Sequence, residues 1–387
     1  YDSLVNEPIN SPMLLDVYGT GYFFSLNNSY LSSLFRELGQ NTPVEYDYRG
    51  LQNRTPLETL FGVKYALCAP DSTGALPALF DSQAVQAAEI GGSTVAVYPN
   101  TAALPIGYTA QNQISRETYD ALTSLQKQDA LLDGVVLEET GLLPEAELTG
   151  DTVSPSAEME LDGVQQLDET TYYAPQDGGR ITLTIAQPVA DCETAFVVQG
   201  MQYTATSPLD AMSEEELSAM SAHDRRNLQK QYAHFWRKDS VYLRLLSNIG
   251  EGRIEYNRPN SQYYCGRHDF VYNFGTSDEP LQQITIVLPF AGYYQFDRLA
   301  VECQKLDTVA ARAENLQNVT LGTNSLGGEI TTTRSSVLVV QLPYSTGWSV
   351  AVDGTPAQVL RADTAFLGVA LEPGSHTVAF TYKTPGL

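Results

Sequence analysis

The stretch YGTGYFFSLNNSY, residues 18–30, combines residue types that bind carbohydrates. Tyr18 and Tyr22 offer aromatic faces that stack on the C–H surface of a sugar, and Asn27 and Asn28 offer amides that hydrogen-bond its hydroxyls. We consider these four residues a candidate carbohydrate site. The alternative interpretation is structural: the rings belong to a domain core, and Asn28 is the N-cap of the following helix.

A second short motif, EYDYRG, places opposite charges two residues apart. Asp47 and Arg49 are candidates for holding a polar ligand, and we add both to the candidate carbohydrate site. The alternative is that the two side chains pair with each other.

The stretch SEEELSAMSAHDRRNLQKQYAHFWRK predicts a helix that is unusually basic for this acidic chain. A basic amphipathic helix with aromatic side chains is typical of contact with an anionic lipid surface. The candidate membrane or anion contacts are Arg225, Arg226, Lys230, Trp236 and Arg237. Alternatively, the cations pair with the acidic stretch 138–169 and Trp236 packs on neighbouring strands.

Catalytic and metal-binding patterns are not found in the sequence. The four histidines form no HExxH pair, and the four cysteines form no CxxC motif. A G-x-S-x-G nucleophile motif is absent, and no local motif singles out a carboxylate pair for glycoside hydrolysis. We therefore predict no catalytic residue, no metal site and no cofactor in this chain. Cys192 and Cys303 both lie at ends of predicted strands, and a disulfide between them is left open.

Composition argues against two classes of function. The chain has 387 residues, with 46 acidic and 22 basic side chains and a formal net charge of −24. A field of that sign repels a phosphate backbone, so nucleic-acid binding is not expected. No run of 18 uncharged apolar residues is present, so no membrane-spanning helix is predicted within the sequence.

Hydrophobic periodicity predicts an α+β fold that is mostly β, in three domains. Residues 1–150 mix helices and strands in an α/β subdomain. Its predicted helices include one capped by Asn28, one in TPLETLFG with a capping box from Thr55 to Glu58, and one long helix in SRETYDALTSLQKQDALLDG.

The rest of the chain alternates polar and apolar residues with period two. Residues 151–318 predict a jelly-roll-like β-sandwich with a helical insertion at 213–238. Residues 319–387 predict a small C-terminal β domain, a sandwich or meander, in which Asp353 and Gly354 form a tight turn.

Both ends of the chain resemble the YfhO family of bacterial polytopic membrane proteins. The similarity runs through YGTGYFFSLNNSYLSSLFRELG, TPLETLFGVKYALCA, ALPIGYTA and the C-terminal LPYSTGWSVAVDGTPAQVLRADTAFLGVALEPGSHTVAFTYKTPGL. The central strands are the least distinctive part. In this family such a segment ends a large extracytoplasmic domain, and a transmembrane helix follows it. Because the sequence starts at Tyr1 instead of methionine, we expect a water-soluble piece cut from between membrane helices.

The resemblance implies a glycosyltransferase. Family members resemble the GT-C class, which uses lipid-linked sugars and is implicated in modifying teichoic acids or other envelope polymers. The catalytic carboxylate of that class lies in an early loop between membrane helices, outside this sequence. We therefore expect a non-catalytic extracytoplasmic domain that orients the acceptor or covers the active site. The whole protein is expected to use a polyprenyl-phosphate sugar donor and a divalent metal.

The implied partners are the protein's own transmembrane bundle, a glycan or envelope polymer, and the nearby surface of a bacterial membrane. Two alternatives come from other functional classes. One is a secreted or surface carbohydrate-binding β-sandwich protein without transferase activity, and the other is a structural surface domain that mediates protein contacts. Apolar segments of about 20 residues flanking this stretch in the gene would favour the transferase. Tight glycan binding by the isolated chain would favour the carbohydrate-binding protein.

Overall fold

Strands dominate the secondary structure of the chain, so the predicted α+β, mostly β fold class is confirmed. The computed structural model describes residues 1–386 except Asn6, Gly91, Asp151, Ser207, Pro208, Asp210, Ala211, 237–239 and 307–313, and describes no side chain for Ile90 or 231–236. Within these described residues, none of the helices has both the length and the apolar character needed to cross a bilayer.

Short helices and short strands alternate in the first part of the chain. The helices are α1 (Ser11–Leu14), α2 (Ser29–Glu37), α3 (Thr55–Leu60), α4 (Arg116–Asp120) and α5 (Ser124–Asp133), with a 3₁₀ helix at Pro70–Ala75. The strands are β1 (Asp2–Ser3), β2 (Tyr22–Phe23), β3 (Asp47–Tyr48), β4 (Tyr65–Cys68), β5 (Gln86–Ile90), β6 (Ser93–Pro99), β7 (Gly107–Ala110), β8 (Gln113–Ser115) and β9 (Val135–Leu137).

The middle of the chain is built from strands, with a helical insertion. The strands are β10 (Thr152–Val153), β11 (Ala157–Asp162), β12 (Gln165–Gln166), β13 (Thr171–Ala174), β14 (Gly179–Ile185), β15 (Glu193–Gln199), β16 (Gln202–Ala205), β17 (Ser240–Ser247), β18 (Glu251–Asn257), β19 (Phe270–Thr276), β20 (Gln283–Leu288), β21 (Gly292–Gln295) and β22 (Arg298–Gln304). The insertion between β16 and β17 contains α6 (Glu214–Ala219) and α7 (Ala222–Trp236).

The last part of the chain contains strands only, within the described residues. They are β23 (Gln317–Gly322), β24 (Ser325–Thr332), β25 (Ser336–Pro343), β26 (Trp348–Val352), β27 (Thr355–Ala357), β28 (Leu360–Ala362), β29 (Phe366–Leu371) and β30 (Gly374–Tyr382). Asp353 and Gly354 adopt φ values of 52° and 78°, which make the tight turn between β26 and β27 that the sequence predicts.

Two of the helix predictions need correction. The predicted capping box of α3 is wrong: Arg54 is the N-cap residue without a side-chain cap, and the Thr55 hydroxyl accepts a hydrogen bond from Ala78 N at 3.1 Å. The prediction of a single long helix in SRETYDALTSLQKQDALLDG is also wrong. Thr123 caps α5 with its own capping box to Gln126, and this separates α5 from α4.

The chain forms two compact units. Unit 1 comprises Tyr1–Leu38, Tyr48–Thr152 and Gln304–Leu387, and unit 2 comprises Gly39–Asp47 and Val153–Cys303. The structure thus groups the C-terminal strands with the N-terminal part of the chain. The three ranges drawn from the sequence stay a prediction.

A central sheet in unit 1 joins strands from both ends of the sequence, in the order β7-β25-β29-β28-β9-β8. Val339 of β25 pairs with Tyr108 of β7. Val337 and Val339 face a core that also contains α2 and α3, whereas Leu338 and Val340 face a second core, shared with the sheet β23-β24-β30-β26-β27. β25 is therefore buried on both faces, as in a central strand of a layered fold.

Unit 2 is a β-sandwich, as the period-two pattern predicts. Its sheets have the orders β11-β14-β20-β17-β18, β10-β22-β15-β19 and β12-β13-β21-β16. Alternate residues of β14 and β20 face the interior, with Leu183 paired to Ile284, and they share one core with Phe196 of β15. The jelly-roll connectivity remains a prediction.

Candidate functional site

An aromatic cleft in unit 1 contains two of the predicted carbohydrate-binding residues. Tyr18 and Tyr22 line it together with Phe35 of α2, Phe61 after α3 and Phe366 of β29, and its volume is about 200 Å³. The ring of Phe35 stacks on Phe61 with centroids 5.6 Å apart, and Phe61 meets Phe366 edge-on at 5.3 Å. These packed rings give the aromatic cleft a rigid apolar floor.

The two tyrosines of the aromatic cleft differ in exposure. Tyr18 is 77% exposed, so most of its side chain is accessible to a ligand. The hydroxyl of Tyr22 donates to Asn27 Oδ1 at 3.4 Å, and its ring packs on Tyr48 with centroids 5.2 Å apart. Burial raises the pKa of Tyr22 well above its usual value, so this hydroxyl stays neutral. The Tyr22 ring is thus held in place as part of the cleft wall, whereas the exposed Tyr18 ring is accessible for stacking on a ligand.

Both asparagines predicted for the site have structural hydrogen bonds. Asn28 Oδ1 accepts from the N–H groups of Tyr30 and Leu31, both at 3.0 Å, and Asn28 Nδ2 donates to Tyr344 O at 2.9 Å. The N-cap interpretation of Asn28 is therefore confirmed. Asn27 Nδ2 donates to Ser32 Oγ at 3.0 Å. Neither residue lines the aromatic cleft, and their contact with a sugar remains a prediction.

Arg49 lines a second, polar cleft of about 140 Å³, which shares Tyr1 and Thr20 with the aromatic cleft. Asp2 lies in this polar cleft, and its carboxylate accepts from Thr20 Oγ1 at 2.7 Å and from Leu51 N at 2.8 Å. Arg49 is exposed and lies beside the residues that the two clefts share.

Asp47 and Arg49 belong to different compact units, because unit 2 includes Gly39–Asp47 and unit 1 resumes at Tyr48. The main-chain oxygen of Asp47 accepts from Thr42 Oγ1 at 3.2 Å within unit 2. The proposed ligand contact of Asp47 stays a prediction, as does that of Arg49.

Sequence reasoning missed a run of exposed apolar side chains next to the aromatic cleft. We call it the exposed apolar segment, and its members are Met13, Leu14, Leu15, Val17, Tyr18, Phe23, Phe24 and Leu26. Leu14 is 83% exposed and Leu26 94% exposed. The available signal was the run PMLLDVYG beside α1, a helix of only four residues. Exposed apolar clusters mark interaction surfaces.

The basic residues of α7 are exposed where the structure describes them. This holds for Arg225, Arg226 and Lys230, and none of the three forms an ion pair with another described residue. Arg225 donates to Leu217 O. The Trp236 side chain and Arg237 lie outside the described residues. The alternative pairing with the acidic stretch 138–169 is thus not seen for these three cations, and their contact with an anionic surface remains a prediction.

Two thiols of unit 2 lie close together. Cys192 precedes β15 and Cys303 lies on the neighbouring β22, and the Thr194 hydroxyl is 3.6 Å from Cys192 Sγ and 4.0 Å from Cys303 Sγ. Both cysteines are free thiols. A hydrogen bond from Cys303 lowers the pKa of Cys192 below its usual value. Among the described residues, no three His, Cys, Asp or Glu side chains are grouped to hold a metal ion.

Comparisons with known proteins find a relative that matches nearly the whole of this chain. The "Uncharacterized protein YfhO" of Bacillus subtilis (strain 168) is 20% identical over 386 residues, which are 97% of this chain and 39% of the relative. The chain therefore spans well under half the length of that relative.

Solved structures of the arabinofuranosyltransferase AftD from mycobacteria give only weak likeness. One alignment has a TM-score of 0.21 at 7% identity and covers 91% of this chain and 50% of that chain. Another has a TM-score of 0.20 at 9% identity and covers 92% and 42%. Such values transfer neither fold nor activity. A family model described as "Bacterial membrane protein YfhO", in contrast, matches residues 2–387, nearly the whole sequence. The chain belongs to the family of bacterial membrane protein YfhO.

Proposed function

We propose that this chain is a non-catalytic, extracytoplasmic domain of a membrane glycosyltransferase that modifies cell-envelope polymers of the teichoic-acid type. In this proposal the domain rests on the membrane-embedded part of its own polypeptide and orients the acceptor or covers the active site. The observation that carries it is the exposed apolar segment beside the aromatic cleft. The transferase itself rests on the family resemblance of both ends of the sequence.

The exposed apolar segment supports docking on the membrane-embedded part. Leaving side chains such as Leu14 and Leu26 in water costs free energy, at about 25 cal/mol for each Å² of apolar surface. The family is one of membrane proteins, and most of the related Bacillus subtilis protein lies outside the match. The occupant we propose is therefore the lipid-embedded part of the same protein.

The clefts and the basic helix support a role in handling an acceptor. An aromatic ring such as Tyr18 stacks on a sugar, and Arg49 in the adjoining polar cleft suits a phosphate or hydroxyl. Arg225, Arg226 and Lys230 are exposed cations of α7 in unit 2. In this proposal they contact the phosphates of an anionic polymer or of the membrane.

A topology and docking experiment tests the proposal on the full-length membrane protein. Val85, 63% exposed, and Leu14 are each replaced by Cys in a Cys265→Ser background, since Cys265 is the half-buried thiol. A membrane-impermeant maleimide should label Val85→Cys in intact cells. It should label Leu14→Cys more slowly in the membrane protein than in the isolated chain. Labelling of Val85→Cys only after lysis would refute the extracytoplasmic face. Equal labelling of Leu14→Cys in both forms would refute docking.

An activity experiment tests the transferase. Membranes containing the full-length protein should transfer label from a polyprenyl-phosphate sugar to an envelope polymer, and the isolated chain should not. Leu14→Asp combined with Leu26→Asp should reduce transfer, whereas Val85→Asp, an exposed apolar position outside the exposed apolar segment, should not. Absence of transfer, together with tight binding of a glycan by the isolated chain, would favour the carbohydrate-binding alternative.

A further inference from the structure

A polar pocket in unit 1 is separate from the aromatic cleft. It is about 170 Å³ in volume and lies where β7, the end of α5 and the turn between β28 and β29 meet. The residues that carry the inference are Thr59, Tyr108 and Asp363, with Leu104, Leu131 and Val135 as apolar walls. We call it the Asp363 pocket.

Two residues that line the Asp363 pocket carry buried hydroxyls without hydrogen-bond partners among the described residues. These hydroxyls are the Thr59 Oγ1 of α3 and the Tyr108 hydroxyl of β7, whose residues are 3% and 6% exposed. Among the described residues neither hydroxyl has a protein partner. Buried polar groups are nearly always hydrogen-bonded in folded proteins, so two unpartnered hydroxyls at one pocket point to a bound guest.

Asp363 adds a carboxyl group to the same pocket. It is 1% exposed, and its Oδ1 accepts from Val136 N at 2.9 Å. Both Asp363 and Thr364 have positive φ values, 49° and 65°, which side chains other than glycine adopt at some cost. Burial raises the pKa of Asp363 to about 7. The group can therefore donate as well as accept a hydrogen bond near neutral pH.

The chemistry of the lining selects the class of ligand. No Lys, Arg or His belongs to the lining among the described residues, whereas the acidic residues Asp133 and Asp363 do, so an anion is disfavoured. No metal-binding group of three side chains is formed by the described residues either. The volume is below the roughly 300 Å³ at which pockets for drug-sized ligands begin. Hydroxyls and a carboxyl between leucine walls match the alternating C–H and O–H surface of a sugar ring.

We propose that the Asp363 pocket binds one uncharged, polyhydroxylated molecule of the size of a monosaccharide, hydrogen-bonded by Thr59, Tyr108 and Asp363. This site is independent of the aromatic cleft and does not depend on the proposed transferase. It can equally serve a carbohydrate-binding protein.

The test uses the 387-residue chain and a set of uncharged probes. Glucose, galactose, arabinose, N-acetylglucosamine and glycerol are titrated separately, up to about 10 mM, by saturation-transfer NMR and calorimetry. Glucuronate and glucosamine serve as charged comparisons. At least one uncharged sugar should bind, more tightly than its charged counterpart. Failure of every uncharged probe to bind would mean that the pocket holds water only, and would overturn the proposal.

Two variants locate the binding. Tyr108→Phe and Thr59→Val each remove one hydroxyl without a protein partner, so the fold should tolerate them, and each should weaken binding about three- to tenfold. The matched control is Tyr119→Phe, because Tyr119 is also fully buried with an unpartnered hydroxyl among the described residues but does not line the pocket. Affinities that are unchanged in both pocket variants, or equally weakened in Tyr119→Phe, would overturn the assignment. Melting temperatures confirm that each variant is folded.

Discussion

The two compact units differ in how far their apolar side chains are exposed: Leu167 of unit 2 is 53% exposed, whereas Leu26 of unit 1 is 94% exposed. In the sandwich of unit 2, alternate residues of β14, β17 and β20 lie in one continuous core. Unit 1 also has well-filled cores, yet Leu14, Leu15 and Leu26 remain largely in water. The exposure is therefore not explained by a lack of core to join. The contrast supports the proposal that unit 1 carries a surface for another molecule.

The two units also differ in how they bury a carboxylate. In unit 2, Glu302 is fully buried and pairs with Arg298, with Arg298 Nη1 2.5 Å from Glu302 Oε1. In unit 1, Asp363 is equally buried but receives only the main-chain N–H of Val136 within the described residues. A buried acid without a counter-charge is costly, and such departures from ordinary packing concentrate at functional sites.

The largest expected effect tests the difference in apolar burial. Phe196→Ala empties a fully buried position in the unit 2 core and should lower the free energy of unfolding by about 3–5 kcal/mol. Leu14→Ala, at a position 83% exposed, should change it by less than about 0.5 kcal/mol. Urea denaturation measures both. A loss for Leu14→Ala comparable to that for Phe196→Ala would remove the contrast between the units.

The next effect concerns the pH dependence of stability. The pKa of Asp363 is raised from 3.8 to about 7 in the folded chain, so the folded state binds this proton more tightly than the unfolded state. Stability from this group is present below about pH 4 and is lost as pH rises through about pH 7, by an amount on the order of 4 kcal/mol.

Asp363→Asn isolates this contribution, because Asn keeps an acceptor for Val136 N and does not ionise. We expect the variant and the parent to melt similarly at about pH 4, and the variant to melt at a higher temperature at about pH 8. The same difference in melting temperature at both pH values would show that Asp363 does not titrate in this range.

The smallest of the three effects on stability concerns Asn28, which is the N-cap of α2 and was also predicted to contact a sugar. Asn28→Ala removes the cap of α2 and the hydrogen bond to Tyr344 O, and should cost about 1–2 kcal/mol in the free energy of unfolding. Asn28→Asp keeps the capping acceptor but not the donor, so it should cost less. A variant that loses glycan binding with no loss of stability would make Asn28 a ligand contact.

Local patterns in the sequence predicted the parts of the fold that depend on neighbours in the chain. The period-two alternation of β14 and β20 predicted the sandwich, and the cap at Asn28 and the turn at Asp353 and Gly354 were both found. These features follow from side-chain direction and backbone preference within a few residues.

Features that depend on distant pairing could not be predicted in this way. The continuous apolar run of β25 does not reveal that its partner is β7, more than 200 residues earlier in the sequence. Asp363 lies in a polar turn, RADTAF, that is typical of a surface, and only tertiary packing buries it. The exposed apolar segment has the composition of a core, so its exposure is visible only in the structure.

The central sheet of unit 1 has a consequence for the order in which the protein is made. β7 cannot pair until β25 has been synthesised, and β25 leaves the ribosome only after the whole sandwich of unit 2. Unit 2 can therefore fold before unit 1 is complete, and until then the central sheet of unit 1 lacks β25, β28 and β29. Nascent chains that stall before residue 336 would expose that unfinished edge to chaperones and to unwanted strand partners.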